Sequence, residues 1–370
     1  MTGGAGARAC ADVVIVAEQL RRRVPGGIGT YVSGLLTGLK ATSASAGVAV
    51  GLVASRVRSP DPLERFGYPV RALPIPPRLM AKAWDLGLGR VESLGLVHAT
   101  SFAMPPSAAK LVVTVHDLAF LAYPEAYPGR GLRWHRDALR RAIERAAAFV
   151  VPAEQVASQL VAAGAEPSVV RVIEEGADHL PEPDEAAAAA MLEAHGLGRE
   201  FLLAVGTLEP RKNLRRLVAG YVAARPDLPA PYPLLVAGPS GWGDASGPLP
   251  EGVVLLGSVA AATLSALYRM AEVVCYVPLA EGFGLPVVEA MRAGTPVVSS
   301  DVPSAKGASI VVDPFDTASI AEGLVLATTD AVARAEAIDA GYVRTAGLTW
   351  QRCAEAHLDL WSTVLATPSE

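Results

Sequence analysis

The stretch PLAEGFGLPVVEAMRAGTPVVSSD, residues 278–301, decides the fold of this chain. It opens with Glu281 in a glycine-bearing loop. Pro286 follows, and it suits the first turn of a helix because its φ is fixed near the helical value and its missing N–H would have no partner there. The spacing predicts a helix from Leu285 to Ala293 that ends at Gly294. The short apolar run after this glycine predicts a buried parallel strand.

This arrangement has chemical consequences. A glycine loop that leads into a helix leaves backbone N–H groups beside the positive end of the helix dipole, which suits a phosphate. Glu281 and Glu289 are separated by seven residues, and their carboxylates would accept hydrogen bonds from hydroxyls attached to that phosphate. A nucleotide sugar offers this pattern, with ribose and hexose on either side of a diphosphate. The pair by itself has a second, equally good interpretation. One glutamate would be an ordinary surface residue, and the other a negative charge near the helix N-terminus that interacts favourably with the helix dipole.

The same segment resembles the signature of the retaining glycosyltransferases of the large bacterial family 4. These enzymes have two facing nucleotide-binding-type domains, the GT-B architecture. The resemblance implies that Glu281 contacts the transferred sugar and that Glu289 holds the ribose. It makes the loop between them the expected donor-binding segment, with Gly282, Phe283, Gly284 and Leu285. It extends over nearly the whole chain and is closest to the mannosyltransferase branch of cell-surface polysaccharide assembly, which favours GDP-mannose over a UDP-sugar as the donor.

Composition bounds the class of protein. The 370 residues suffice for two domains, and 51% hydrophobic with 19% charged residues is typical of a globular chain. A net charge of −5 argues against electrostatic binding of nucleic acid. Cys10, Cys275 and Cys353 have neither zinc-site nor disulfide spacing, and the first apolar run is too short for a signal peptide or membrane span. These features predict a cytoplasmic protein.

Short Val/Ile/Leu runs alternate with alanine-rich helical stretches, and this predicts an α/β fold of doubly wound parallel sheets. In the first half we expect helices at Ile28–Leu39 and Leu132–Ala147 and strands at Val13–Ala17, Val48–Ala54, Leu96–His98, Leu111–His116, Phe149–Pro152 and Val169–Ile173. In the second half we expect strands at Phe201–Val205, Pro233–Ala237, Val253–Leu256, Val273–Val277, Pro296–Ser299 and Ile310–Val312. Two such Rossmann-like halves imply a ligand-binding cleft between them.

The domain boundary is predicted at PEPDEAAAAA, residues 181–190, because a rigid Pro-Glu-Pro precedes an alanine run. We therefore predict an acceptor-side N-terminal domain over residues 1–180 and a nucleotide-sugar-binding domain over residues 181–348. Residues 349–370 have the apolar spacing of a terminal helix. The family resemblance implies that this helix crosses back onto the N-terminal domain.

The strand FLLAVG ends in Gly206, and the adjacent cations Arg211 and Lys212 then open a helix. Cations here oppose the helix dipole by roughly 0.3–1 kcal/mol, which indicates an anion nearby, although a solvated basic helix start is the plainer interpretation. The resemblance implies that Lys212 contacts the donor diphosphate. Many family members have an arginine at the position of Thr207. We interpret the threonine as a mark of one subfamily.

Three other stretches supply candidate donor contacts. The glycine turn at residues 24–31 lacks the spacing of a dinucleotide fingerprint, but the resemblance carries a phosphate-binding role over to Gly27. His116 is predicted to end a strand that points into the cleft. A lone histidine is more often structural, but the resemblance implies that His116 contacts the donor sugar and its phosphate. Gly238, within residues 235–242, resembles the family stretch near the nucleotide base.

Further polar residues have less specific roles. Asp117 is expected to position His116 or an acceptor hydroxyl, whereas His98 is expected to be packed at a strand end. Six arginines and Trp134 lie between Arg130 and Arg145. A solvated helix face is favoured for them over a membrane surface that holds a lipid-linked acceptor, with the arginines paired to Asp137 and Glu144.

These features predict a cytosolic, membrane-peripheral enzyme that moves a hexose from a nucleotide diphosphate sugar to a hydroxyl acceptor with retention. The resemblance implies no metal and no bound cofactor, with the catalytic roles on His116, Glu281 and Lys212. Two alternatives stay open: a non-catalytic sugar-nucleotide-binding relative, and another enzyme of this architecture such as a nucleotide-sugar epimerase or a phosphorylase. The spacing disfavours a dinucleotide oxidoreductase.

One departure from the family pattern lies after Ser304. The family continues with a glutamate-containing loop and a helical turn, whereas this chain proceeds through residues 305–309 almost directly to the next strand. We expect this shortened loop to lie close behind the donor site, where it would narrow the pocket, alter the choice of donor or disable the enzyme.

Overall fold

The computed structural model describes residues 12–43, 47–57, 60–240 and 249–368. Cys10 and the last two positions of the stretch 235–242 lie outside the described residues. The described residues form two parallel sheets, one in each half of the chain. The predicted α/β fold is therefore confirmed.

The first sheet has seven strands in the order β3-β2-β1-β4-β5-β6-β7. Its strands are β1 Val13–Val16, β2 Val50–Ser55, β3 Val70–Leu73, β4 Leu96–Ala99, β5 Lys110–Thr114, β6 Ala148–Val151 and β7 Val170–Val172. The helices that accompany it are α1 Gly26–Thr42, α2 Met80–Asp85, α3 Ala119–Ala122, α4 Gly129–Arg145 and α5 Glu154–Ala162. The strand order reverses between β1 and β4, which opens a crevice at the carboxyl ends of these strands.

The second sheet has six strands in the order β10-β9-β8-β11-β12-β13. Its strands are β8 Leu202–Val205, β9 Leu234–Ala237, β10 Val253–Gly257, β11 Val273–Tyr276, β12 Val297–Ser299 and β13 Ile310–Val311. Its helices are α6 Glu185–Ala194, α7 Leu214–Ala224, α8 Ala261–Met270, α9 Leu285–Arg292, α10 Thr317–Thr329 and α11 Ala331–Thr345, and α12 Trp350–Ala366 follows. The order here reverses between β8 and β11.

Apolar runs explain the central strands. All four residues of β1, β4 and β6 are buried, because helices cover both faces of the sheet. The edge strand β3 was not predicted: its sequence VRAL has a charged residue and two exposed positions, so it lacks the signal of a buried strand. Strand β5 ends at Thr114, two residues before the predicted end, so His116 lies in the loop beyond it.

Helix α9 begins and ends where the sequence predicts. Gly294 has a φ of +81°, a left-handed conformation that favours glycine. Its N–H donates to the Met291 carbonyl, and the Thr295 N–H donates to the Ala290 carbonyl, each at 3.1 Å. This pair of bonds is a Schellman motif, which satisfies the last carbonyls of the helix.

The terminal helix α12 packs on α1 of the first half, as the family resemblance implies. A Cβ atom added to Gly34 would lie 2.1 Å from the Trp350 ring, so α1 is free of side chains where this indole contacts it. Trp361 is fully buried in the same cluster. Phe283, Leu285 and Val288 also belong to this cluster, which therefore joins the signature segment to the core of the first half.

None of the described helices is long and apolar enough to cross a membrane.

Candidate functional site

The signature loop lies against the carboxyl end of β5. A Cβ atom added to Gly282 would stand 1.7 Å from the main-chain oxygen of His116, a distance that no side chain could tolerate. The chain needs glycine here because the backbones of the two halves approach this closely. This contact brings Glu281 to the side of the cleft where His116 lies.

A short 3-10 turn, Pro210–Lys212, presents the two predicted cations. Asn213 ends the turn in a left-handed conformation, with a φ of +58°. Its side-chain amide donates to the carbonyls of Val277 at 3.1 Å and Pro314 at 2.7 Å, which anchors the turn to the loops after β11 and β13. Asn213 is thus an unpredicted support of the site.

The two cations converge on Glu281. Lys212 Nζ lies 2.5 Å from Glu281 Oε2, and Arg211 Nη1 lies 3.3 Å from the same oxygen. The hydroxyl of Tyr276 donates to this oxygen at 2.5 Å and accepts from Lys212 Nζ at 2.6 Å. Arg211 also pairs with Glu209 at 2.8 Å. Three residues predicted from two separate motifs therefore form one cluster, and Tyr276 completes it.

This cluster controls the ionisation of Glu281. Burial opposes the charged carboxylate, but the charges of Lys212 and Arg211 outweigh burial and hold the pKa of Glu281 well below its usual range. Burial likewise opposes the charge of Arg211, while Glu281 and its other acidic neighbours raise the pKa of its guanidinium. Glu281 is therefore an anion and a hydrogen-bond acceptor at neutral pH.

Glu289 occupies a second polar cluster. It is 8% exposed, and its two carboxylate oxygens contact His179 Nε2 at 2.8 Å and the Tyr268 hydroxyl at 2.6 Å. Burial would lower the pKa of His179, but the hydrogen bond and the charge of Glu289 raise it overall. Neither His179 nor Tyr268 was predicted from the sequence, since neither lies in a recognisable motif.

His116 is held by groups other than the expected aspartate. Its Nε2 lies 3.0 Å from the Thr100 carbonyl, and its Nδ1 lies 3.4 Å from Glu175 Oε1. The prediction that Asp117 positions His116 is not supported, because Asp117 accepts instead from the Ala119 N–H at 3.0 Å. The orienting carboxylate comes from Glu175, which is 5% exposed.

The predicted glycines Gly27, Gly206 and Gly238 differ in how closely other atoms approach them. A Cβ atom on Gly238 would stand 1.9 Å from the Gly206 carbonyl oxygen, so these two strand ends require a bare backbone. Gly206 lies beside the Lys212 side chain: a Cβ atom added to Gly206 would be 3.8 Å from Lys212 Cδ. A Cβ atom on Gly27 would meet nothing within 4 Å, so this position faces open space at the start of α1.

Gly284 and its neighbours tie the signature to the shortened loop. Gly284 has a φ of +96°. Its carbonyl accepts from the Ser304 hydroxyl at 3.0 Å, and the Ser304 N–H donates to the Phe283 carbonyl at 3.0 Å. The start of the shortened loop therefore lies directly behind residues 283–284 of the signature segment. Phe283 and Leu285 are 4% and 7% exposed and belong to the hydrophobic cluster of the first half.

His98 is a packed core residue, as expected, and it is fully buried. Its Nε2 lies 2.8 Å from Thr114 Oγ1, and its ring stacks on His357 with 5.4 Å between centroids. Burial lowers its pKa well below the usual value. Cys275 is also a core residue, and burial raises the pKa of its thiol to about 12.

The arginine-rich helix α4 is mostly solvated. Arg140 pairs with Asp137 at 3.2 Å, as expected. Arg141 pairs with Asp85 of α2 at 2.6 Å, and the same carboxylate accepts from Trp134 Nε1 at 2.9 Å. These contacts fasten α4 to α2.

Two cavities lie between the halves. A cavity of about 280 Å³ is lined by Asp117, Gln155, Glu281 and Asp301, among others. A larger one of about 810 Å³ adjoins it and shares Gln155 and Asp301. Within the described ranges, no group of three or more His, Cys, Asp or Glu residues has the geometry to hold a metal ion.

Comparison with known proteins identifies the family. A model of "Glycosyltransferase Family 4" matches residues 25–179, and one of "Glycosyl transferases group 1" matches residues 199–340. O-antigen chain mannosyltransferase B of Escherichia coli is 28% identical over 273 residues, which are 70% of this chain and 71% of that protein. Serotype-specific mannosyltransferase WbdA of Escherichia coli is 25% identical over 212 residues, 54% of this chain but 25% of that protein.

Solved structures agree on the fold. Anabaena HepE in complex with UDP and glucose matches 95% of this chain and 100% of its own chain, with a TM-score of 0.71 and 18% identity. Together with the two family models, this places the facing sheets in the GT-B architecture. The chain belongs to glycosyltransferase family 4.

Proposed function

We propose that this chain transfers a hexose, with mannose favoured, from a nucleotide diphosphate sugar to a hydroxyl of a glycan or lipid-linked acceptor, with retention and without a metal ion. The observation that carries the proposal is the convergence of Lys212 and Arg211 on Glu281 where the two halves meet. An anionic diphosphate needs cations, and a sugar needs a hydrogen-bond acceptor beside them. This cluster supplies both.

In the proposed reaction the bond between C1 of the hexose and the diphosphate oxygen breaks. C1 then bonds to the acceptor oxygen on the same face, and the proton of the acceptor hydroxyl passes to the departing diphosphate. Negative charge grows on that diphosphate in the transition state. Lys212, Arg211 and the N-terminus of α9 would stabilise it, which supports a mechanism without metal.

The remaining predicted residues would bind the donor around this centre. Glu289 would accept from the ribose hydroxyls, since a carboxylate can accept about four hydrogen bonds and His179 and Tyr268 use two. Gly206 and Gly238 would give the nucleotide close access to the backbone, and Gly27 faces open space suited to phosphate. His116 would contact the transferred sugar from the opposite half.

The choice of GDP-mannose rests on the relatives. The names of two Escherichia coli relatives are those of mannosyltransferases. The Anabaena structure has UDP and glucose bound, so a UDP-sugar is the competing donor. In this proposal residues 1–180 bind the acceptor, residues 181–348 bind the donor, and residues 349–370 pack back on the first domain.

We further propose that the enzyme works in the cytoplasm at the inner face of the membrane. Leu86 and Leu88 are 66% and 58% exposed. They follow Asp85, which binds α4, where Arg133 and Arg136 are exposed. Exposed leucines beside arginines suit an anionic lipid surface. Sedimentation with vesicles of phosphatidylglycerol, but not with phosphatidylcholine alone, would support this placement.

A thermal-shift panel in EDTA tests the donor proposal, with GDP-mannose, UDP-glucose, UDP-N-acetylglucosamine and the free nucleotides. A donor at 100 times its dissociation constant stabilises the folded state by about 2.7 kcal/mol. We expect a shift with GDP-mannose that Glu289→Ala abolishes and that the exposed control Asp359→Asn retains. NMR of the product anomer tests retention. Donor binding without turnover on any acceptor would favour a non-catalytic relative.

A further inference from the structure

The smaller cavity lies directly beside the reactive centre. Its wall includes Glu281 and residues 278–280 from the second half and Asp117 with α3 from the first half. At about 280 Å³ it is slightly smaller than the usual site for a drug-sized ligand. It therefore has room for about one sugar ring.

The wall of this cavity is polar and carries no positive charge of its own. Its polar side chains are carboxylates, carboxamides and hydroxyls, from Asp117, Asp301, Gln155, Gln159, Tyr123 and Ser300. No lysine or arginine occurs among the described residues that line it. Glu281 is compensated by Lys212 and Arg211, so Asp117 and Asp301 leave the cavity acidic.

The two glutamines form one edge of the cavity. Gln155 and Gln159 are four residues apart on α5, so they lie on the same face of that helix. Both are exposed, and each carboxamide offers donors and an acceptor. Carboxamides and carboxylates match the hydroxyls of an uncharged sugar, whereas a phosphate or a carboxylate group would meet Asp117 and Asp301 without a cation.

The larger cavity continues the same surface past Gln155 and Asp301. Two of the cations that line it, Lys306 and Arg344, pair with Glu174 at 2.9 Å and 2.6 Å. The third lining cation is Arg352, and four carboxylates, from Glu154, Glu174, Glu175 and Asp301, outnumber these three cations, so the lining does not favour an anion. This part of the groove could take the next units of a longer, uncharged acceptor.

We propose that the cavity between Gln155, Gln159, Asp117 and Asp301 is the acceptor subsite and that it takes an uncharged sugar as the terminal unit of the acceptor. The inference rests on the proposed glycosyl transfer and names the acceptor class for it. The glutamines and Asp301 bind the ring hydroxyls, and Asp117, whose Cβ is 3.0 Å from the position of a Cβ added to Gly282, lies beside the loop that carries Glu281. Anionic terminal sugars are excluded by the two aspartates.

Saturation-transfer-difference NMR on the full chain with a nucleoside diphosphate tests this. The neutral probes are the methyl glycosides of mannose, glucose, galactose and N-acetylglucosamine, and mannose 6-phosphate and glucose 6-phosphate are the anionic probes. We expect saturation transfer to at least one neutral glycoside and none to the phosphates. Gln155→Ala and Asp301→Asn should each reduce the signal at least fivefold, while the exposed control Gln351→Ala leaves it unchanged.

Kinetics with the donor that the thermal-shift panel selects gives an independent check. The two cavity variants should raise the KM for the acceptor at least tenfold and leave the KM for the donor unchanged. Binding of the phosphates as strong as that of the neutral sugars, no binding of any neutral glycoside, or unchanged binding in both cavity variants would overturn the inference. Failure of the donor proposal would look different, since nucleotides would then give no thermal shift.

Discussion

His179 Nε2 lies 2.8 Å from Glu289 Oε1, and through this bond the connector between the two sheets contacts the helix that follows the signature loop. On its other side, His179 Nδ1 lies 3.3 Å from Trp350 Nε1, and Trp350 packs on α1. One imidazole therefore links the proposed ribose-binding carboxylate to the contact of the terminal helix with the first half. If Glu289 binds the ribose as proposed, occupation of the donor site and packing of α12 act on the same side chain.

This link predicts a pH-dependent stability. The hydrogen bond and charge of Glu289 raise the pKa of His179 despite its burial. A raised folded-state pKa adds stability that is complete below pH 6.5, the unfolded value, and is lost as pH rises through the folded value. Urea unfolding from pH 5.5 to 8.5 should show this loss in the wild type and not in His179→Gln. The exposed control His195→Gln should behave like the wild type, and an unaltered pH profile in His179→Gln would contradict the assignment.

The cluster at Glu281 predicts unequal costs of removing its members. Glu281→Gln leaves Lys212 without an anion and Arg211 with Glu209 alone, whereas Lys212→Met leaves Glu281 still paired with Arg211. We expect Glu281→Gln to lower the free energy of unfolding by about 2–3 kcal/mol and Lys212→Met by about 1 kcal/mol, with the double variant below the sum. Lys212→Met should also lower kcat at least about 100-fold.

A matched control for this series is the exposed pair of Arg140 and Asp137, whose side chains are 68% and 54% exposed. Arg140→Met should change the free energy of unfolding by less than about 0.5 kcal/mol. Equal effects of Lys212→Met and Arg140→Met in urea denaturation would show that the cluster is not a coupled unit.

The contact between Gly282 and His116 predicts that a single methyl group disturbs the cleft. Gly282→Ala would place Cβ 1.7 Å from the His116 carbonyl oxygen, so the two halves must separate or the loop must shift. We expect a loss of at least about 2 kcal/mol in the free energy of unfolding and a severe loss of turnover. Gly131→Ala is the control, since its Cβ meets nothing within 4 Å and helix α4 should gain about 0.5–1 kcal/mol.

The buried histidine of α12 predicts acid instability. Burial lowers the pKa of His357 to about 4, although the hydrogen bond to the Cys353 carbonyl acts in the opposite direction and raises it. Its Nδ1 lies 2.7 Å from that carbonyl, so Nε2 is left to accept from the Tyr31 hydroxyl at 2.8 Å. His357 therefore takes up a proton near pH 6.5 in the unfolded chain but only near pH 4 in the folded chain.

Stability should therefore fall by about 2.5 kcal/mol from this residue as pH drops from 6.5 to 4. The fall should be smaller in His357→Gln, measured by urea midpoints at each pH. Because acidic residues also titrate in this range, the difference between the variant and the wild type is the informative quantity. Parallel pH profiles would show that His357 does not carry the effect.

Local sequence was sufficient for much of the architecture. The limits of α9 follow from Pro286 and Gly294, whose backbone preferences act over a few residues. The central strands follow from runs that are apolar at every position, because both faces of a parallel sheet are covered. The edge strand β3 could not be predicted in this way, because its partly exposed residues do not form an apolar run.

For the candidate site, too, some residues could be predicted from the sequence and others could not. Glu281, Glu289, Arg211 and Lys212 could be chosen from the sequence because they lie in motifs of glycine, proline and charge that resemble those of the family, whereas His116 could be chosen only from the resemblance. Their partners Tyr276, His179, Tyr268 and Glu175 could not, because tyrosines in core strands and helices resemble ordinary packing and a connector histidine has no motif. The sequence by itself determined which residues carry charge and where α9 starts. The tertiary structure decided that residues 212 and 281 share one oxygen and that His179 contacts Glu289, because such pairings depend on how two sheets and a terminal helix pack.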